Sequence, residues 1–181
     1  MEIVNVNASS HASNAREVRI ERWAGRPFYV VACPFRVDLP LDMSGCIVSA
    51  LRETIGAGHR RPHGGLILAS DARGRGAVYI EVDPPRTDDS RVCWIEGDLL
   101  TRALPPPPTP LRAEVDELVR WSGELAREVG IFYVSFAPGE GPRAFRPVRL
   151  LAALDGGGVV EHFEVRTSKQ YVSARAVAAA R

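Results

Sequence analysis

The sequence is almost without lysine. Of 23 basic residues in a chain of 181, Lys169 is the one lysine and arginine supplies the rest. Such a bias reads first as the habit of a GC-rich genome. Arginine also suits two-pronged contacts to carboxylates and phosphates. The 23 basic residues face 22 acidic ones, for a formal charge of +1. That balance lacks the basic excess on which nonspecific nucleic-acid binding draws. Asparagine and glutamine are scarce after residue 14. The Lys and Glu enrichment usual in hyperthermophile proteins is missing too.

Cysteine is also sparse. Cys33, Cys46 and Cys93 are odd in number and widely spaced, so they predict neither a disulfide framework nor a metal knuckle. The first residues lack a basic segment followed by an apolar run, so no signal peptide is expected. No apolar run approaches the 18 residues of a membrane span. These absences lead to the expectation of a reduced, cytoplasmic protein with no membrane association. Nothing in the chain calls for a cofactor.

What is present suits a globular protein. Hydrophobic residues make up 45% and charged residues 25%, close to globular averages. A chain of this length buries roughly two thirds of its unfolded surface. The expected organisation is a mobile segment over 1–16 and one α+β domain over 17–181, with the proline-rich connector 105–110 crossing its surface.

The strands are announced by β-branched and aromatic residues. Residues 1–7 alternate and suggest an edge strand. Runs at 17–23 and 26–37 suggest a hairpin turning at Gly25. The stretch 65–82 is the clearest hairpin, and with 91–97 it predicts an antiparallel meander. Further strands are expected at 131–137, 148–154 (or a helical turn) and 159–165. Two principal helices are marked by apolar stripes at helical spacing. The first, 44–57, carries Cys46, Ile47, Ala50, Leu51, Thr54 and Ile55. The second follows Thr109 and Pro110, a cap and a first-turn proline. Its stripe is Leu111, Val115, Leu118, Val119, Ser122, Leu125, Ala126 and Val129. A short helix at 98–104 and a weak terminal helix at 170–181 complete the reading. Hairpins outnumber crossovers, so a mainly antiparallel sheet with two principal helices packed on it is expected.

The stretch DMSGCIVSALRETIGAGHRRPHGGLIL, residues 42–68, holds the residues with most chemistry. Cys46 lies near a helix start, where unpaired N–H groups favour the thiolate. His63 is the candidate base and Asp71 the candidate acid that orients it. The competing reading packs Cys46 on the apolar stripe as a small hydrophobe. The turn 58–65 offers an anion site: His59, Arg60, Arg61 and His63 supply donors, and Gly64 and Gly65 expose backbone N–H groups. A solvated loop shaped by glycine is its alternative. His59 and His63 alone do not define a metal site. The acidic residues Glu81, Asp83, Asp88 and Asp89 fit Asx-type turns better than a cation site.

The string SGC (44–46), followed by HGGLIL (63–68), resembles papain-like cell-wall cysteine peptidases. In those a cysteine starts a helix and a histidine opens a later strand. The resemblance implies a Cys46 nucleophile. It departs from the family because Cys46 follows Ser44 and Gly45 instead of preceding such a pair. The family's histidine also comes much later, so the chain is not identified as a member.

Three functional classes follow. The first is a binding or assembly protein that meets a protein partner, or a second copy of itself, through a sheet edge or helix face. The second is a hydrolase or transferase using Cys46 with His63. The third binds a small anion, a nucleotide or a nucleic acid through Arg60, Arg61, Arg73 and Arg75.

Overall fold

The computed structural model describes residues 2–5, 18–33, 43–72, 75–105, 111–139, 145–159, 164–167 and 170–173. Its elements are β1 (Glu2–Asn5), β2 (Val18–Ala32), α1 (Ser44–Gly56), β3 (Ile67–Ala72), β4 (Arg75–Glu81), β5 (Val92–Ala103), α2 (Leu111–Glu124), β6 (Val129–Pro138), β7 (Phe145–Leu154), β8 (Gly158–Val159), β9 (Glu164–Thr167) and β10 (Gln170–Ser173).

The sheet is antiparallel throughout, as the hairpin pattern predicts, but it does not stay open. Going round, β2 pairs with β4, β4 with β3, β3 with β6, β6 with β7 and β7 with β5. β5 then returns to β2, from Val18↔Arg102 to Tyr29↔Val92. The result is a closed six-stranded barrel with two helices on its outside, so α+β describes it only in part. Strands from both sides of the proline-rich connector join this one barrel.

The 15-residue strand β2 makes closure feasible. It is long enough to pair with β5 along most of its length and with β1 and β4 on its other edge. Gly25, expected to turn a hairpin, instead sits in a bulge where the register shifts between Trp23 and Arg26. Its φ of +102° suits a residue without Cβ. The bulge bends the strand without ending it. The expected meander is also corrected: β3 and β4 form the hairpin, but β2 lies between β4 and β5. Residues 98–103, expected as a short helix, continue β5, where Leu99 and Leu100 are both fully buried on opposite faces. Residues 170–173 are strand β10, paired with β9, where a terminal helix was expected.

Two apolar layers result from period-2 alternation. One draws on all six barrel strands and no helix, and fills the barrel. It includes Phe28, Leu68, Tyr79, Cys93, Tyr133 and Leu151. The other joins the outer wall to the helices through Ile47 and Ala50 of α1 and Leu111 and Leu118 of α2. Burying each large aliphatic side chain in these layers contributes roughly 1.5–3 kcal/mol.

Each helix buries most of its expected stripe, but not all of it. On α1 the buried residues are Ile47, Ala50 and Thr54, and Ile55 is 68% exposed. On α2 they are Leu111, Glu114, Leu118 and Ser122, and Val119 is exposed. Glu114 occupies the buried line because Arg102 of β5 meets it at 2.8 Å. Among the described residues no helix is long and apolar enough to cross a membrane.

Candidate functional site

The functional residues suggested by the sequence lie along and just beyond α1. At the start of that helix Cys46 is bonded to Cys33, with 6.3 Å between their Cα atoms, a separation typical of such pairs. Cys33 follows the last residue of β2 and is buried, and its N–H donates to the Gly76 carbonyl at 2.8 Å. The pairing corrects the expectation that no two cysteines are joined. Cys46 carries no free thiol in this state.

His63 lies beyond the opposite end of the helix. The 13 residues of α1 span about 20 Å at 1.5 Å per residue, and the structure does not bring Cys46 and His63 together. Asp71 is near the end of β3, in register with Gly76.

The turn after α1 uses part of its own hydrogen-bonding capacity internally. The Gly65 N–H donates to the Pro62 carbonyl at 3.0 Å, and Gly64 has φ +71°. That is the arrangement of a type II turn, which needs positive φ at its third position. Gly65 also packs so closely on Pro62 that a Cβ there would meet the Pro62 carbonyl oxygen at 3.0 Å. Arg61 Nη2 donates to the Gly65 carbonyl at 2.6 Å. One backbone N–H and one guanidinium of the expected anion site are therefore used inside the loop. Arg60 and His63 are exposed, and the Arg60 carbonyl accepts from the Asp83 N–H at 2.8 Å. Arg75 begins β4, and Arg73 lies outside the described residues.

His59 does something the sequence did not announce. Its N–H closes the end of α1 on the Thr54 carbonyl at 3.1 Å. Its Nε2 lies 2.8 Å from Asp89 Oδ2. Its ring tilts against Tyr29, with centroids 5.0 Å apart. Arg91 stacks on the same Tyr29 ring at 4.6 Å and pairs with Glu53 of α1 at 2.8 Å. Asp89 Oδ1 accepts from the Arg91 N–H at 2.9 Å, the Asx-type turn expected of this acidic run. Burial alone would raise the Asp89 pKa. The His59 hydrogen bond and the Arg91 N–H and charge outweigh it and hold the carboxyl below its ordinary value. Burial raises the Tyr29 phenol, and its hydroxyl has no hydrogen-bond partner among the described residues. The cluster joins β2, α1 and the loop before β5, and fixes the far end of the helix to the barrel wall. The sequence signal for it was weak: Tyr29 looked like any strand aromatic, and its partners are 30 to 62 positions away.

Two further features belong to this region. A groove of about 330 Å³ is lined by Ser44, Gly45, Val48, Ser49 and Arg52 of α1. Helical spacing sets the exposed Ile55 on the same face as Ser44 and Val48. Among the described residues no group of three or more His, Cys, Asp or Glu is arranged to hold a metal ion. Compared with known protein families and with curated proteins, the chain matches none.

Proposed function

We propose that this chain is a binding or assembly protein that engages a protein partner through the outward face of α1. The observation that carries this reading is Ile55, 68% exposed on a helix whose other face is fully packed. A large exposed aliphatic side chain on a helix that also lines a groove suits contact with a partner's side chains. Of the two surfaces the sequence suggested, the helix face is favoured over a sheet edge. Closure pairs both edges of the barrel strands, so among the described strands a partner strand would have to add to the short β1, β8, β9 or β10.

The other readings rank lower on specific grounds. A Cys46 nucleophile requires the bond to Cys33 to be open and a base that His63 does not supply from its position. Anion or nucleotide binding loses the Gly65 N–H and part of Arg61 to the turn itself. A cytoplasmic setting, also proposed here, would keep Cys33 and Cys46 reduced for much of the time, because cytosolic thiol buffers oppose persistent disulfides.

The test is a photo-crosslinking amino acid at Arg52, combined with light scattering of the purified chain. A crosslinked protein or a concentration-dependent dimer, abolished by Ile55→Glu in a variant that keeps its Tm, is the expected result. A strict monomer with no crosslink in cell extract removes the proposal.

A further inference from the structure

We propose that Cys33 and Cys46 form a reversible redox pair, opened by an external thiol or dithiol that attacks Cys46, and that opening it releases the first turn of α1 from the barrel.

The two sulfurs are unequal. Cys33 is 7% exposed and lies at the end of a barrel strand, anchored by its N–H to Gly76. Cys46 is only partly buried and sits in the first turn of a helix. An incoming thiolate therefore reaches Cys46 first, and the rate of exchange depends on such access. A position in the first turn of a helix favours a thiolate at Cys46 when the bond opens, because the aligned peptide dipoles place partial positive charge at that end.

The bond also holds something. Met43, at the N-cap position of α1, supplies no side-chain cap. Among the described residues, the first turn is also held by the buried Met43 and Ile47 and by the Phe145 N–H, which donates to Ser44 Oγ at 3.3 Å. The opposite end of the helix has its own attachment through Glu53 and Arg91, 2.8 Å apart, and the His59 cluster. Opening the bond removes the covalent tie at one end of α1 and leaves the attachments of the other end untouched, so the first turn is the part expected to loosen.

The exchange balances without any group beyond the reductant. An external thiolate forms a sulfur–sulfur bond to Cys46 as the Cys33–Cys46 bond breaks, and Cys33 leaves as a thiolate that takes a proton. A second thiol of the reductant then attacks its own sulfur in the mixed disulfide. Cys46 leaves as a thiolate, and the reductant becomes a disulfide. Two electrons pass to the protein, with one proton while Cys46 stays a thiolate and a second from water once it is protonated.

The experiment titrates the air-oxidised full chain with dithiothreitol without denaturant, quenches with N-ethylmaleimide and maps adducts by peptide mass spectrometry. Cys33 and Cys46 are expected to become labelled while Cys93, fully buried, stays protected. At partial reduction with glutathione, the mixed disulfide is expected on Cys46. Hydrogen exchange at residues 43–47 is expected to quicken at least ~10-fold on reduction, with barrel strands unchanged. The proposal is overturned if the bond survives until the protein unfolds, if the mixed disulfide forms on Cys33, or if oxidised protein shows both cysteines free. Exchange unchanged at 43–47 overturns the release of the helix. Because these readouts use the unaltered chain, none depends on a cysteine variant folding.

Discussion

Arg26 grips Glu81 with both prongs of its guanidinium, Nε to Oε1 and Nη2 to Oε2 each at 2.7 Å. The same carboxylate accepts the Leu66 N–H at 2.6 Å, and Arg26 lies 4.8 Å over the Trp23 ring. One buried acid thus ties β2, β4 and the entry to β3.

Glu81→Ala leaves a guanidinium and a backbone N–H without their partner. Removing one member of a buried pair is expensive, and because Arg26 is about a third exposed we expect about 3 kcal/mol, the low end of the range. Arg26→Ala should cost less, about 1–2 kcal/mol, because Glu81 keeps the Leu66 N–H. Urea denaturation measures both. Equal losses in the two variants would contradict the role given to Leu66.

Gly158 faces the hydroxyl of Tyr133. Its φ is +112°, and a Cβ there would lie 3.2 Å from Tyr133 Oη and 3.3 Å from Ala153 Cβ. Gly158→Ala should destabilise by about 2 kcal/mol through backbone strain and overpacking. Tyr133→Phe removes a buried hydroxyl that has no hydrogen-bond partner among the described residues. It should be neutral or stabilising by up to about 1 kcal/mol. It should also relieve part of the alanine penalty, so the double variant is expected to be more stable than the sum of the singles. Strict additivity in thermal unfolding would count against the close approach.

Acid should weaken the fold through Asp98. Hydrogen bonds from Arg22 at 2.8 Å and Arg127 at 2.9 Å hold its carboxyl below the ordinary range, although burial pushes the other way. A depressed folded-state pKa means that the unfolded chain binds the proton more readily. The stabilisation is therefore complete above the ordinary carboxyl value of about 4 and is lost as pH falls through and below it. Asp155, which shares Arg127 at 2.6 Å, is lowered in the same direction. Asp98→Asn should flatten, without abolishing, the fall in unfolding free energy between about pH 5 and pH 2. An unchanged slope would show that Asp98 is not held in its ionised form.

Local pattern carried much of this fold, and tertiary partners carried the rest. Alternating β-branched runs located most of the strands, though not the second half of β5 or β10, and the stripes located both helices. The stripes misplaced Ile55 and Val119 because helical spacing cannot say where the buried arc ends. Glu114 is buried since Arg102 waits on the barrel wall, and nothing near Glu114 in sequence tells of it. Gly25 permits both a turn and a bulge. The choice was made by β5, which pairs with β2 on both sides of the glycine. At the candidate site, the chemistry of residues 58–65 was legible as composition. Their use was not, because the partners of His59 and Cys46 come from Tyr29, Asp89 and Cys33 on other elements.

The ring order of the strands has a consequence for how the chain is made. β3 and β5 each wait for a neighbour from the β6–β7 pair, which enters between them. In the ring the strands made before the proline-rich connector run β3, β4, β2, β5, so β3 and β5 are the margins that the later strands fill. The barrel can close only after residue 154 has been translated. Such late, distant pairing slows the search for the native state. A protein arrested halfway through synthesis would expose sticky strand margins to its neighbours.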